Sequence, residues 1–272
     1  MLPVVLHHGL FGFGELSAGP VKVSYFGAIG RGISGLGHPL VVSSVHPTAG
    51  IATRARQLKE TMLRQLEILG RPREKVIVVA HSMGGLDARY MISKLGMDDR
   101  VAALLTVTCP HRGSPFADWC VLHLEKRFGA YRLLNSLGVD VQAGNDLTTA
   151  SCRKFNEEVP DAPGVKYFSV SAARPWNLVP PFALPSWRVV HDAEGDNDGL
   201  VSVKSSTWGT HLGVWPADHW HTINRRFVIE LREPTGDITP FYLGALEKVV
   251  SYCGAGVPPA SSARAGGTPA PQ

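Results

Sequence analysis

The sequence predicts an α/β fold, built on a mostly parallel sheet with helices on both faces. Short runs rich in Val, Ile and Leu alternate with amphipathic helical patterns along most of the 272 residues. Strands that are buried on both faces read as near-continuous apolar runs, and their alternation with helices is typical of parallel sheets. The strands are expected at residues 3–6, 40–45, 75–80, 101–108, 165–170 and 188–191.

The clearest helical pattern lies between the second and third of these strands. It ends at Gly70, a residue type that often terminates helices, and its apolar residues are spaced by three and four, as on one helix face. These are Ile51, Ala55, Leu58, Met62, Leu66 and Leu69. The segment "GGLDARYMISKLG" repeats the pattern after the third strand. Residues 115–150 interrupt the alternation, and this insertion is expected to be a lid or cap, or else two helices packed permanently on the sheet.

Composition indicates one globular domain, residues 1–253, followed by a tail. The chain is 44% hydrophobic and 18% charged, which are ordinary values for a globular protein. No run approaches the roughly 20 apolar residues of a transmembrane helix. The tail, residues 254–272, is rich in Gly, Pro and Ala and is expected to be disordered. A net charge of +4 with scattered basic residues argues against a nucleic-acid partner.

The N-terminus and the cysteines bear on the cellular compartment. The apolar run after Met1 is short and lacks the basic start of a secretory signal, so the chain as written is expected in the cytoplasm. A secreted protein whose leader had been removed would read identically. The four cysteines lack metal-ligand spacing and are expected to be free thiols; a Cys152–Cys253 bridge is the alternative for an exported form.

The segment "VVAHSMGG", residues 78–85, places a serine where a predicted strand meets a predicted helix. It fits the G-x-S-x-G nucleophile elbow, with Ala80 in place of the first glycine and Gly84 as the second. Both positions need a small side chain because neighbouring backbone crowds the turn. If the turn forms, the hydroxyl of Ser82 projects above the strand ends, beside the N–H groups of the helix N-terminus. The alternative is that Ser82 only caps the helix.

A serine nucleophile needs a histidine to remove its proton and an acid to orient that histidine. In an elbow fold of this kind the chain order is Ser, then Asp or Glu, then His. The late segment "WPADHWHTINRRF" offers His219 and His221 in a loop. The segment "HDAEGDNDGLVS" offers Asp192, Glu194, Asp196 and Asp198. It is expected to follow a strand that ends near residue 191. Spacing alone does not choose among these residues.

Five segments follow one another along the chain: "HHGLFGFG", "AHSMGGLDARY", "TCPHRGSPFADW", "NDGLVS" and "DHWHTIN". In them the chain resembles the bacterial triacylglycerol lipases of the α/β-hydrolase superfamily, over about residues 3–230. The resemblance implies the α/β-hydrolase fold, with Ser82 as nucleophile, His219 as general base and Asp198 as the acid that holds the imidazole tautomer. Asp196 and His221 are the alternatives for the last two roles.

Attack on an ester carbonyl creates an alkoxide, which needs preorganised N–H donors. One donor in this fold is the N–H of the residue after the nucleophile, here Met83, and the other comes from the loop after the first strand. The H-G-L segment of the lipases matches residues 8–10 and assigns the second donor to Leu10, with Phe11 as the near alternative. The apolar residues expected to line a substrate pocket are Phe11, Trp176, Leu178 and Phe182.

Neither a cofactor nor a metal is expected. Many lipases of this family bind Ca²⁺ through an Asp two residues after the catalytic histidine. Here that position is His221, a poor ligand for a cation that prefers oxygen.

The resemblance implies a serine carboxylic ester hydrolase that acts on acylglycerols or other apolar acyl esters, with transient contact to a lipid interface. The alternatives are an acyltransferase or amidase with the same triad, and a non-catalytic binding module on this fold.

Overall fold

The structure is a computed structural model that describes residues 1–12, 15–18, 21–128, 142–225 and 236–254, with the backbone alone for 15–18, 21–23 and 124–128. The strands are β1 (Val4–His7), β2 (Glu15–Ala18), β3 (Val21–Ser24), β4 (Leu40–Val42), β5 (Val76–His81), β6 (Val101–Val107), β7 (Lys166–Ala172) and β8 (Thr210–Trp215). The α-helices are α1 (Gly27–Gly35), α2 (Ile51–Ile68), α3 (Gly84–Lys94), α4 (Pro115–Phe128), α5 (Gln142–Asp146), α6 (Thr149–Glu158), α7 (Leu184–Glu194), α8 (Val203–Ser206) and α9 (Thr239–Gly254).

Six of the strands form one sheet in the order β4-β1-β5-β6-β7-β8, and every neighbouring pair in it is parallel. Successive residues of a strand point to opposite faces, and here both faces are buried. One row across the sheet is Leu6, Val79, Leu105 and Phe168, and the row on the opposite face begins Val5, Val78 and Leu104. The two rows belong to two separate hydrophobic clusters. The predicted parallel sheet with helices on both faces is therefore confirmed.

Helices cover the two faces in pairs. Apolar residues of α1 and α9, such as Ile29 and Leu246, pack on the face that carries Leu6. Residues of α2 and α3, such as Leu58 and Met91, pack on the other face. Burial of one such side chain stabilises the fold by about 1.5–3 kcal/mol. The apolar stripe of α2 and the pattern after the third strand are thus helices, as predicted.

The predicted strand at 188–191 is wrong. These residues lie in α7, where Trp187 and His191 stack one helical turn apart with ring centroids 4.4 Å from each other. A short apolar run does not distinguish a strand from one turn of a buried helix. The sixth strand of the sheet is instead β8, at its edge, where a half-exposed pattern replaces the continuous apolar run. Asp198 therefore follows a helix rather than a strand.

The insertion near residues 115–150 is helical where it is described, as α4, α5 and the start of α6. Residues 129–141 lie outside the described residues, and the lid or cap stays a prediction. The tail at 255–272 also lies outside them, and α9 extends to Gly254.

An antiparallel hairpin of β2 and β3, which the sequence did not predict, follows the first strand. All four cysteines are free. Within the described ranges, no helix combines the length and the apolar character that crossing a bilayer requires.

Candidate active site

The strand-to-helix turn at Ser82 is sharp. β5 ends at His81 and α3 begins at Gly84, and Ser82 between them has a φ of 55°, in the left-handed region that non-glycine residues rarely adopt. The packing around the turn explains its small neighbours. A Cβ at Gly84 would lie 2.8 Å from the carbonyl oxygen of His8, and a Cβ at Gly9 would lie 2.8 Å from the Cβ of Ser82. The loop after β1 is therefore pressed directly against the serine.

Three side chains from distant parts of the chain meet at this turn. The Oγ of Ser82 lies 3.0 Å from Nε2 of His219, and Nδ1 of His219 lies 2.7 Å from Oδ2 of Asp198. Asp198 is fully buried, and its other oxygen accepts hydrogen bonds from the N–H groups of Leu200 and Val201. Because an ionised carboxylate can only accept, Nδ1 of His219 carries the proton and Nε2 is free to accept the serine proton.

The alternative partners lie elsewhere. Asp196 is exposed at the surface. Both ring nitrogens of His221 have other contacts, since Nε2 lies 3.1 Å from the carbonyl of Gly236 and Nδ1 lies 3.1 Å from a guanidinium nitrogen of Arg174. The structure thus brings together Ser82, His219 and Asp198, and it leaves Asp196 and His221 outside that group.

Hydrogen bonds in the loop after β1 fix the orientation of the peptide between Gly9 and Leu10. The carbonyl oxygen of Gly9 accepts hydrogen bonds from Nδ1 of His8 (2.9 Å), the N–H of Gly12 (3.2 Å) and Nη2 of Arg54 (3.3 Å). In a trans peptide the C=O and the following N–H point in opposite directions, so the N–H of Leu10 is directed away from Arg54. The alternative donor is already used, because the N–H of Phe11 donates to the carbonyl of Pro47 at 2.9 Å.

The second expected donor, the N–H of Met83, stands at the N-terminal end of α3. Met83 is the residue that precedes the first helical position, and its side chain is fully buried. An N–H at such a position has no partner inside the helix and carries the positive end of the helix dipole. Leu10 and Met83 therefore stay the predicted oxyanion donors, one in the loop that lies against Ser82 and one at the start of α3.

Comparisons with known proteins identify similar sequences and a similar fold. A family model described as the PGAP1-like alpha/beta domain matches residues 53–156. Triacylglycerol lipase 2 of Saccharomyces cerevisiae is 31% identical over 216 residues, which cover 75% of this chain and 63% of the relative. Triacylglycerol lipase of Vibrio cholerae is 29% identical over 244 residues, covering 78% of this chain and 74% of the relative. These relatives and the fold support the resemblance to the triacylglycerol lipases of the α/β-hydrolase superfamily.

A solved structure supports the α/β-hydrolase fold. A metagenomic carboxyl esterase superposes with a TM-score of 0.74 over 92% of this chain and 76% of its own, at 20% sequence identity. That likeness bears on the fold alone. The chain spans less than two thirds of the length of its yeast relative, at 63%.

Beneath the loop after β1 lies a buried charge network that the sequence reasoning missed. Nε of Arg54 donates to Oδ2 of Asp87 at 2.8 Å, and both side chains are completely buried. Nε2 of His7 donates to the same oxygen at 2.9 Å, and the hydroxyl of Ser43 donates to Nδ1 of His7 at 2.6 Å. Burial lowers the pKa of His7 below 6.5, so the ring is neutral. The sequence carries one indication of this network, because the charged Arg54 interrupts the apolar stripe of α2.

A second missed residue, His81, contacts the backbone of His219 through Thr222. The hydroxyl of Tyr25 donates to Nδ1 of His81 at 2.9 Å, and Nε2 of His81 donates to Oγ1 of Thr222 at 2.9 Å. Thr222 in turn donates to the carbonyl oxygen of His219 at 2.6 Å. Burial, followed by the nearby His219, holds the pKa of His81 well below 6.5. The rings of His81 and His219 lie 4.8 Å apart. Because His81 is neutral, it does not oppose a positive charge on His219.

The four residues expected to line a substrate pocket fall into two groups. Phe11 and Phe182 are both exposed: Phe11 belongs to the loop after β1, and Phe182 packs edge-on against Trp220, the neighbour of His219. Trp176 instead lines a groove of about 630 Å³ formed with residues of α7, and none of Ser82, Asp198 or His219 is in its lining. Leu178 is half-buried, and its carbonyl oxygen accepts a hydrogen bond from a guanidinium.

Proposed function

We propose that this protein is a serine carboxylic ester hydrolase that acts on acylglycerols or other apolar acyl esters. One observation carries the proposal: Ser82, in a strained turn, His219 and a fully buried Asp198 are joined by contacts of 3.0 and 2.7 Å. A serine hydroxyl becomes a useful nucleophile when a base within hydrogen-bond reach removes its proton and a third group orients that base. The names of the relatives favour ester hydrolysis over acyl transfer or amide cleavage.

In the proposed first half-reaction, Ser82 Oγ attacks the ester carbonyl carbon while its proton passes to Nε2 of His219. The imidazolium that forms is stabilised by Asp198, whose carboxylate already holds Nδ1–H. The carbonyl oxygen becomes an alkoxide and accepts hydrogen bonds from the N–H groups of Leu10 and Met83. Such donors cost no reorganisation at the moment of reaction and commonly supply the largest electrostatic stabilisation. His219 then gives its proton to the leaving alcohol oxygen, and the acyl group remains on the serine.

The second half-reaction repeats the chemistry with water. His219 takes a proton from a water molecule as the water oxygen attacks the acyl-enzyme carbonyl. The same two N–H groups stabilise the second alkoxide. Collapse of this intermediate breaks the bond to Ser82 Oγ, which takes the proton back from His219, and the free acid leaves. No cofactor enters either half-reaction.

The apolar acyl group is proposed from the exposed rings around the site. Phe11 is 74% exposed, two residues after Gly9, which lies against Ser82; Phe182 is 56% exposed and packs on Trp220, the neighbour of His219. Large apolar side chains exposed beside a reactive group are typical of surfaces that contact apolar ligands. We extend the proposal to transient contact of these two rings with a lipid surface. The relatives named triacylglycerol lipase are consistent with such a substrate.

The test is hydrolysis of p-nitrophenyl esters from acetate to palmitate by the wild type and by Ser82→Ala. Loss of kcat/KM should reach at least ~10³-fold, the scale of removing a triad member. Ser186→Ala is the matched control, because it removes a buried hydroxyl that bonds only a carbonyl of its own turn. It should keep wild-type activity. Retention of most activity by Ser82→Ala would reject the proposed nucleophile, and a preference for acetate with no gain on lengthening the chain would reject the apolar acyl group.

A further inference from the structure

Arg174 occupies a buried position between the two loops that carry Asp198 and His219. It follows the end of β7, and its side chain is 4% exposed. Its Nη1 donates to Oδ2 of Asp218, the residue before His219, at 2.9 Å, and Asp218 is fully buried. Removal of one partner from such a pair leaves an uncompensated buried charge, which is strongly unfavourable.

The pair connects to both loops through the backbone. The N–H of Arg174 donates to the carbonyl of Asn197, the residue before Asp198, at 3.0 Å. The second oxygen of Asp218 accepts the N–H groups of Trp220 and His221, at 3.0 and 2.9 Å. Asp218 therefore closes the turn around His219, and Arg174 ties that turn to the segment bearing the acid.

The residues at the position where related lipases bind calcium do not fit that ion. Both oxygens of Asp218 are engaged, one by Arg174 and the other by two backbone N–H groups. Both nitrogens of His221 are engaged as well, one by the guanidinium and one by the carbonyl of Gly236. Calcium prefers six to eight oxygen ligands. Across the described ranges, no group of three or more His, Cys, Asp or Glu side chains could hold a metal ion.

We infer that Arg174 is a positioning residue whose guanidinium, rather than a bound calcium ion, holds His219 and Asp198 in register. The inference rests on the proposed function for its activity readout. A fixed positive charge supplied by the chain pairs with Asp218 and orients the turn on which the base stands. Displacement of a catalytic group by about 1 Å can cost 10²-fold in rate. The enzyme is then indifferent to calcium and dependent on the arginine.

The variants are Arg174→Met, which removes the charge, and Arg174→Lys, which keeps it without the planar fork. Arg174→Met should lower kcat by about 10²-fold while KM changes less than threefold, since positioning acts on the reacting groups. Arg174→Lys should recover part of the loss. Arg89→Met is the control: Arg89 is equally buried and pairs with Asp161, away from the triad. It should lower stability and keep kcat.

Two further measurements separate this inference from the proposed function. Kinetics with EGTA and with added calcium chloride should coincide for the wild type, and calcium should not rescue Arg174→Met. Proton NMR should show a downfield resonance for the proton between His219 and Asp198, present in Arg89→Met and lost in Arg174→Met; this readout needs no ester hydrolysis.

If Arg174→Met does not fold, Asp218→Asn replaces it, because the amide oxygen still caps the turn while the ion pair is gone. Activity abolished by EGTA and restored by calcium, or an unchanged resonance and kcat without the ion pair, would overturn the inference.

Discussion

Replacement of Arg54 by Met should damage both stability and catalysis, and the structure separates the two effects. Arg54 is completely buried in α2 and donates to four acceptors. Nε pairs with Asp87 at 2.8 Å, and Nη1 donates to the carbonyl of His46 at 2.8 Å. Nη2 donates to the carbonyls of His8 at 2.8 Å and Gly9 at 3.3 Å. The first two contacts stabilise the fold, and the last two orient the loop after β1, residues 8–12, called the oxyanion loop after the donor proposed at Leu10.

The magnitudes follow from these contacts. Met leaves the carboxylate of Asp87 buried with His7 as its remaining partner, and loss of one member of a buried pair costs about 3–5 kcal/mol. That is a large share of the roughly 5–15 kcal/mol free energy of unfolding of an ordinary domain. The catalytic effect is separate. If the peptide between Gly9 and Leu10 is no longer held, its N–H is misdirected, and loss of one oxyanion donor costs about 10²–10³-fold in kcat.

The assay combines urea unfolding with kcat of the folded protein, measured below the unfolding transition. The control is Asp87→Asn, which disturbs the same ion pair but leaves both guanidinium–carbonyl contacts to the loop in place. It should lose stability and keep kcat within about threefold. If Arg54→Met does not fold, Arg54→Lys serves instead, because a single ammonium cannot reproduce the fork that spans both carbonyls. A folded Arg54→Met protein with wild-type kcat would refute the role given to the guanidinium.

Three further outcomes are expected. Gly9→Ala should lower kcat by about 10²-fold with the fold intact by circular dichroism, because the new Cβ would lie 2.8 Å from the Cβ of Ser82 and displace the oxyanion loop; unchanged kcat would show that the loop tolerates the shift. Asp198→Asn should lower kcat by about 10⁴-fold and Asp196→Asn should leave it within about threefold, because only the former removes the acceptor of Nδ1–H; equal losses would contradict the assignment. Burial, then the charge of a neighbouring histidine, lowers the pKa of His8 from 6.5 to about 3. Between about pH 3 and 6.5 the unfolded chain binds a proton at His8 that the folded chain does not bind. The free energy of unfolding should therefore fall as pH falls, by up to about 1.4 kcal/mol per pH unit for this group. Equal urea midpoints at neutral pH and at about pH 5 would refute this.

Much of the fold was predictable because buried parallel strands and amphipathic helices leave strong periodic signals. The apolar stripe that contains Leu58 and the run before Ser82 are examples, and the structure has a helix and a strand there. The error at 188–191 arose where the signal was weakest, in a short apolar run that fits either state. The edge strand β8 was not predicted because most of its residues are half-buried or exposed, so it lacks a continuous apolar run.

The candidate site was predictable where residue type and chain order carry the chemistry, as at Ser82, and through family resemblance at Asp198 and His219. The supporting residues could not be found in the same way. Arg54 and Arg174 act through backbone carbonyls and carboxylates that only the folded chain brings near them. A charged residue inside an apolar stripe signals a buried partner, but it does not identify that partner.

Covalent labelling of the serine tests the central claim most directly. The protein is incubated with a fluorophosphonate, which reacts with activated serine hydroxyls, and the adduct is located by mass spectrometry while its rate of formation is followed. We expect one adduct per chain, on Ser82, with the rate reduced at least ~10²-fold in His219→Ala and unchanged in His221→Ala. Labelling at another residue, or a rate that His219→Ala does not alter, would contradict the claim that His219 activates Ser82.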